Sequence, residues 1–275
     1  MKTLGTIKTL LVNLLFKEPP LPTAPFGIAP RADRDKYLQL YHEARKVSYP
    51  EIDAFETQQG FASDREWIDS LALHTQIVVK KSKLNYQHGR LLYAKLRRYL
   101  ADLPIQTAPV TIFETGTARG FSALCMSKAL IDSNVCGQIV TLDVLPHNTQ
   151  MLWNCIDDHD GPKTRQQLLA LWPEELKRVM FIQGWTKSQL ARTGLARIHF
   201  AFLDAQHTAQ DVMAEYYYVR DRQQSGDIIV FDDVTPGIFD GVVEAVNSIE
   251  SDGLYLFERL LISGQRGYAV GTRVR

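Results

Sequence analysis

The chain has 275 residues, 45% of them hydrophobic, which suits one large α/β domain or one domain with an appendage. Its 31 basic and 31 acidic residues cancel to a formal net charge of +0, so no whole-protein field favours nucleic acid. Its 3 cysteines, Cys125, Cys136 and Cys155, are too few for a disulfide framework and lack metal-type spacing; they fit a reducing, cytoplasmic setting.

Residues 1–32 read as an apolar helix followed by a proline-rich arm. The stretch "LGTIKTLLVNLLF", from Leu4 to Phe16, is too short and too interrupted by Lys8 to span a membrane. No small-residue cleavage site follows it, so it is not expected to be a signal peptide. An amphipathic helix packed on the body or on a second copy of the chain is expected, which makes a homo-oligomer the expected state. Contact with a membrane surface is the sharper alternative. The arm "KEPPLPTAPFGIAPR" is extended by its prolines.

Residues 33–105 read as a helical cap region. Apolar residues recur at helical spacing in "DREWIDSLALHTQIVVKK" and "HGRLLYAKLRRYLADL". Tyr86, His88 and Arg90, just before the core, are candidate contacts to an acceptor.

Residues 106–275 alternate strand and helix. "VTIFE", "GQIVTLD", "RVMFIQG", "RIHFAFLD" and "DIIVFDD" are the expected strands, and "LYLFERLLI" with "GYAVGTRV" a closing hairpin. Such alternation predicts an α/β fold: a Rossmann-like, mostly parallel sheet with helices on both faces and one antiparallel hairpin at its edge. Ligands of such sheets sit beyond the carboxyl ends of the strands. Those ends carry Glu114, Asp143, Gln183 with Gly184, Asp204, and the pair Asp232 and Asp233.

The turn after the first strand reads E-T-G-T-A-R-G. A dinucleotide fingerprint needs a glycine at its middle position, and none stands there; no G-K-S or G-K-T follows for a phosphate loop. The turn therefore suits a nucleoside better than a pyrophosphate. Asp143, one βα unit later, can accept both hydrogen bonds of a ribose diol. Glu114 beside the turn would repel phosphate and favour a cation. S-adenosylmethionine is a nucleoside that carries a sulfonium and an ammonium and no phosphate.

"FETGTARGFSALCMSKAL", "IVTLD" and "FLDAQHTAQDVMAEYYYVRDRQQSGDIIVFDDV" resemble class I S-adenosylmethionine-dependent methyltransferases. They are most similar to small bacterial O-methyltransferases of the macrolide-sugar and catechol types. The resemblance spans about residues 84–273. It implies that Glu114 and Gly116 face the methionine part of the cofactor, with Gly120, Phe121 and Ser122 closing the turn. It also implies that Asp143 holds the ribose, that Gln183 and Gly184 lie near the adenine, and that Asp204 borders both cofactor and acceptor. Trp185 could stack on the adenine or serve as ordinary packing.

Asp204, Asp232 and Asp233 are expected about 5 Å apart on adjacent strand ends. Unpaired, three such carboxylates would repel, and a divalent ion, Mg²⁺ first, would relieve this and bind acceptor oxygens. His207 is the candidate general base. The catechol-type relatives carry a lysine at that place and an aspartate-asparagine pair where this chain has two aspartates. "DDHDG" at 157–161 reads as a solvated turn, because the rest of a calcium loop is missing. The expected activity is O-methylation of a sugar, glycan or small natural product. A hydroxylase-type relative of the same fold and a non-catalytic cofactor-binding partner are the alternatives.

Overall fold

The structure is a computed structural model that describes residues 18–104, 109–262 and 266–275. The helix expected between Leu4 and Phe16 lies outside the described residues. Among those described, the sheet has seven strands: β1 (Val110–Thr115), β2 (Gly137–Asp143), β3 (Val179–Gln183), β4 (Phe200–Leu203), β5 (Ile228–Phe231), β6 (Tyr255–Ile262) and β7 (Arg266–Arg273). Their spatial order is β3-β2-β1-β4-β5-β7-β6. The first five run parallel, and β7 inserts antiparallel between β5 and β6.

The alternation in β1 and β4 explains why both sheet faces are covered. Ile112, Phe200 and Phe202 point to one face and pack with Leu91, Leu92 and Leu96 of α4 (His88–Asp102) and with Ala123 and Met126 of α5 (Phe121–Asp132). Phe113, Ala201 and Leu203 point to the other, against α8 (Thr186–Leu190), α9 (Ala209–Arg220) and α10 (Asp240–Ser251). A strand with apolar residues on both faces has to be central in a layered sheet, and β1 and β4 are.

The remaining helices are α1 (Arg34–Arg45), α2 (Pro50–Gln59), α3 (Arg65–Thr75), α6 (Arg165–Leu168) and α7 (Pro173–Leu176). Asp33 and Asp64 cap α1 and α3 by accepting hydrogen bonds from the first free backbone N–H groups. α3 stops at Thr75, so "QIVVKK" leaves the helix expected there and runs back along the body. The stretch "RQQLLALWPEEL" forms two one-turn pieces, α6 and α7, because Pro173 can only begin a helix.

The first helices do not form a separate cap. α4 is part of the helical layer on the sheet, and α1 and α3 pack with Phe121, Leu124 and Trp172. Lys80, Ser82, Lys83 and Asn85, between α3 and α4, share a cavity with Asp233 at the carboxyl end of β5. Two of the three expected acceptor contacts have other partners. Arg90, 1% exposed, is held by Glu56, by Asp53 at 2.6 Å and by Gln87 at 2.9 Å. The Tyr86 hydroxyl donates to Asp69 at 2.7 Å. His88 is buried between Phe121 and Phe202, with ring centroids 5.0 and 6.2 Å away. "DDHDG" ends a short 3₁₀ turn that is only half solvated: Asp157 and Asp158 are buried, His159 and Asp160 exposed. Asp157 pairs with His74 at 2.6 Å and Lys163 at 2.7 Å, and Asp158 accepts the backbone N–H of Trp153 at 2.7 Å.

Candidate active site

The turn between β1 and α5 lies against the end of β4. Gly116 has φ +87°, and a Cβ there would stand 2.1 Å from the Asp204 carbonyl oxygen, so only glycine lets these two chain segments touch. Gly120, at φ +95°, begins α5 in the left-handed region. The missing side chain at Gly116 lets the turn pack directly on the end of β4.

Asp143 ends β2 beside that turn. Its two oxygens accept the backbone N–H groups of Ala118 at 2.7 Å and Leu145 at 2.6 Å. Burial raises its pKa, while the Arg165 guanidinium 3.9 Å away and the two N–H groups oppose the rise. Each oxygen keeps a second lone pair, so the carboxylate can brace the turn and still accept from a ribose.

Glu114 stands differently from the expectation of a carboxylate at the lip. It is fully buried, and the hydroxyls of Ser122 and Thr141 donate to its two oxygens. Burial pushes its pKa up to about 7. It lies beneath the turn and presents no open face, so any effect on a cationic ligand acts through the turn as charge. Ser122 serves Glu114, and Phe121 packs toward His88 and Tyr86. At the end of β3, the Gln183 amide donates to the Val144 carbonyl at 3.2 Å and the Gly184 N–H to Asp143 at 2.8 Å. The Trp185 indole donates to the Pro19 carbonyl at 2.7 Å, so this ring is tied to the N-terminal arm.

The acids at β4 and β5 converge as expected. Leu203 pairs with Phe231, which puts Asp204 and Asp232 at one level. A cation is already among them. Arg266, at the start of β7, grips both oxygens of Asp232, with Nε at 2.7 Å; the same guanidinium is 3.2 Å from Asp233 and 3.8 Å from Asp204. Gly267 explains the placement. A Cβ there would lie 2.0 Å from the Val234 carbonyl oxygen, so β7 can press against the loop after β5 and deliver Arg266 to the acids. Burial and the charge of Asp232 push the Asp204 pKa well up, and the Arg266 charge opposes this.

His207 Nε2 is 3.0 Å from Asp233 Oδ2, and its ring lies 4.6 Å from that of Phe239. Asp233 itself takes a positive φ of 56°, with its N–H bonded to Asp232 at 2.7 Å. The three-aspartate set expected for Mg²⁺ is thus altered: Asp232 is committed to Arg266. One donor atom each from Asp204, His207 and Asp233 lies within 4.8 Å of the others, so these three are the donors a metal ion would find.

A cavity of about 430 Å³ opens beside Asp233 and Arg266, lined also by Ile238, Phe239, Lys80, Ser82, Lys83 and Asn85. Sequence reasoning missed Arg266, Lys80, Lys83 and Asn85. Arg266 had a signal: the "RG" step sits at the hairpin turn that returns the chain to the carboxyl ends of the strands. The Lys80–Asn85 connection had none, since its nearness to Asp233 is set by tertiary packing.

Residues 113–234 match a family described as a methyltransferase domain. No curated protein matches the chain in sequence. Among solved structures, the O-methyltransferase TomG from Streptomyces achromogenes, in complex with SAM, is 16% identical with a TM-score of 0.52, over 78% of this chain and 92% of that one. Cofactor-bound Rv0187 from MTB is 16% identical with a TM-score of 0.55, over 83% and 98%. An O-methyltransferase from Bacillus cereus, in complex with SAH, is 13% identical with a TM-score of 0.50, over 86% and 96%. At these identities the likeness establishes the fold. Residues 113–234 thus carry the match to a methyltransferase domain, on a fold shared with these methyltransferase structures. No helix among the described residues is long and apolar enough to cross a membrane.

Proposed function

We propose that the protein transfers a methyl group to a hydroxyl of a small acceptor held between Phe239 and the Lys80–Asn85 connection. The observation that carries this reading is the His207–Asp233 pair, 3.0 Å apart, whose Asp233 lines a cavity together with Phe239 and Arg266. When bound, S-adenosylmethionine supplies the methyl carbon: the acceptor oxygen bonds to it as its bond to sulfur breaks, the electron pair goes to sulfur, and S-adenosylhomocysteine leaves. Gly116 and the Asp143 carboxylate fit the methionine and ribose parts, one by its bare backbone and the other by its open lone pairs. Asp233 holds His207 through Nε2, which leaves Nδ1 to take the hydroxyl proton. Phe239 and Ile238 keep water from the reacting line.

Arg266 is read here as the resident cation of the acid cluster, and no step passes through a metal. A second reading has one observation in its favour, the donor atoms of Asp204, His207 and Asp233 within 4.8 Å of one another. On that reading those three hold Mg²⁺, and His207 is a ligand instead of a base. An acceptor panel with methyl-labelled S-adenosylmethionine tests the activity. Turnover that persists in excess chelator supports Arg266; turnover lost to chelator and restored by Mg²⁺ supports the metal. Absence of label in any hydroxylated acceptor, with the cofactor bound, would remove the O-methyltransferase reading. An acceptor in the sugar or small natural-product class, and action as a homo-oligomer in the cytoplasm, belong to the same proposal.

A further inference from the structure

We propose that the acceptor is an acidic small molecule, with its reacting hydroxyl at His207 and Asp233 and a carboxylate or phosphate of the same molecule held by Lys80, Lys83 and Asn85. The proposal rests on His207 and Asp233 marking the methyl-transfer centre.

The cavity beside that centre is rich in hydrogen-bond donors. Asn85 is 7% exposed; its Oδ1 accepts the Gln87 N–H at 2.9 Å, but its Nδ2 is buried with no partner among the described residues. Buried amide N–H groups left without an acceptor are uncommon, and one lining a cavity marks a place for an oxygen. Lys80 and Lys83 line the same cavity, and neither ammonium has a hydrogen bond or ion pair among the described residues. Burial and the nearby Arg266 and Arg119 charges also push the Lys80 pKa down, with Asp233 and Asp232 opposing. An anion placed between Lys80 and Lys83 relieves that crowding.

Asp233 and the Asp232-neutralised Arg266 line the same cavity; beside them a neutral hydroxyl is tolerated and an anion meets a carboxylate, so the anion falls to the lysines and the amide. A volume of about 430 Å³ suits a one- or two-ring molecule rather than a polymer.

The test uses full-length protein saturated with S-adenosylhomocysteine, and calorimetry on paired probes: glucuronate and glucose 6-phosphate against glucose, and 3,4-dihydroxybenzoate against its methyl ester. At least one acid is expected to bind about tenfold or more tightly than its neutral twin, the worth of one charge-assisted hydrogen bond. The Lys80→Gln/Lys83→Gln double variant should bring that pair to parity. Both lysines are exposed, so folding is expected to survive; a circular dichroism melt checks it. Comparing carboxylate with phosphate probes tells which anion is preferred. Equal binding within every pair, binding by no probe, or a preference that survives in the double variant would each overturn the proposal. Acids that bind through the lysines without accepting labelled methyl would leave the anion site standing and defeat the methyl-transfer reading instead.

Discussion

Arg266 and Asp232 form a two-point ion pair in which both carboxylate oxygens are taken by one guanidinium, and that guanidinium extends to Asp233 and Asp204. Asp232 is 2% exposed. Removing one partner of such a buried pair leaves an uncompensated charge, which typically costs about 3–5 kcal/mol. Arg266→Ala should therefore lower the unfolding temperature markedly in metal-free buffer. Added Mg²⁺ should restore part of the loss in the variant and change little in the unaltered protein. Unfolding scans with and without Mg²⁺ check both statements; a variant as stable as its parent in chelator would remove Arg266 from its place among the acids.

His207→Ala should lower turnover by about 10²-fold or more, because a positioned general base contributes about that much. Cofactor affinity should stay the same, since the imidazole touches Asp233 and Phe239 and no part of the glycine turn. Single-turnover rates and calorimetry separate the two effects. If the rate is near normal, the proton leaves by another route.

Asp143→Ala should weaken S-adenosylmethionine binding by roughly tenfold to a hundredfold, the value of one or two hydrogen bonds to a charged group. The structure adds a second consequence: the N–H groups of Ala118 and Leu145 lose their acceptor, so the turn itself should loosen. Amide hydrogen exchange at Ala118 in the cofactor-free protein measures that part.

Gly116→Ala should abolish cofactor binding and destabilise the fold by more than about 1 kcal/mol, because φ +87° is strained for alanine and its methyl would meet the Asp204 carbonyl. Denaturant titration and calorimetry report the two losses separately. Unchanged affinity in a folded variant would show that the turn does not floor the cofactor site.

The buried acids give the fold a pH dependence whose sign follows from their shifts. Burial raises the Glu114 pKa to about 7 and the Glu215 pKa to about 8, both above the ordinary 4.5. Between about pH 4.5 and those values the folded chain keeps protons that the unfolded chain has released. Their contribution is therefore fully present below about pH 4.5 and lost as pH rises through about 7 and 8. Glu215→Gln should flatten the fall in unfolding temperature between about pH 4.5 and 8. Glu215 is the better test, since Glu114 also lies under the cofactor turn. An unchanged slope would mean that Glu215 is ionised throughout.

The order of strands and helices after Val110 was legible in the sequence because it rests on local facts: apolar runs for central strands, a glycine turn that opens a helix, a hairpin that closes the sheet. The same local facts put Glu114, Asp143, Asp204, Asp232 and Asp233 at strand ends, since a parallel sheet brings every strand end to one side. Where each carboxylate points, and what it meets, was decided only in three dimensions. Glu114 turned inward because Ser122, in the first turn of α5, and Thr141, on the neighbouring strand, both reach it. Asp232 meets Arg266 because β7 runs antiparallel back to the acids, and Gly267 lets it pass close. Lys80, Lys83 and Asn85 came to line the cavity through the packing of α3 and α4, which no spacing in the chain encodes. Periodicity determines which face of an element is buried; charge pairing depends on distances between elements far apart in sequence, and those exist only once the core has closed.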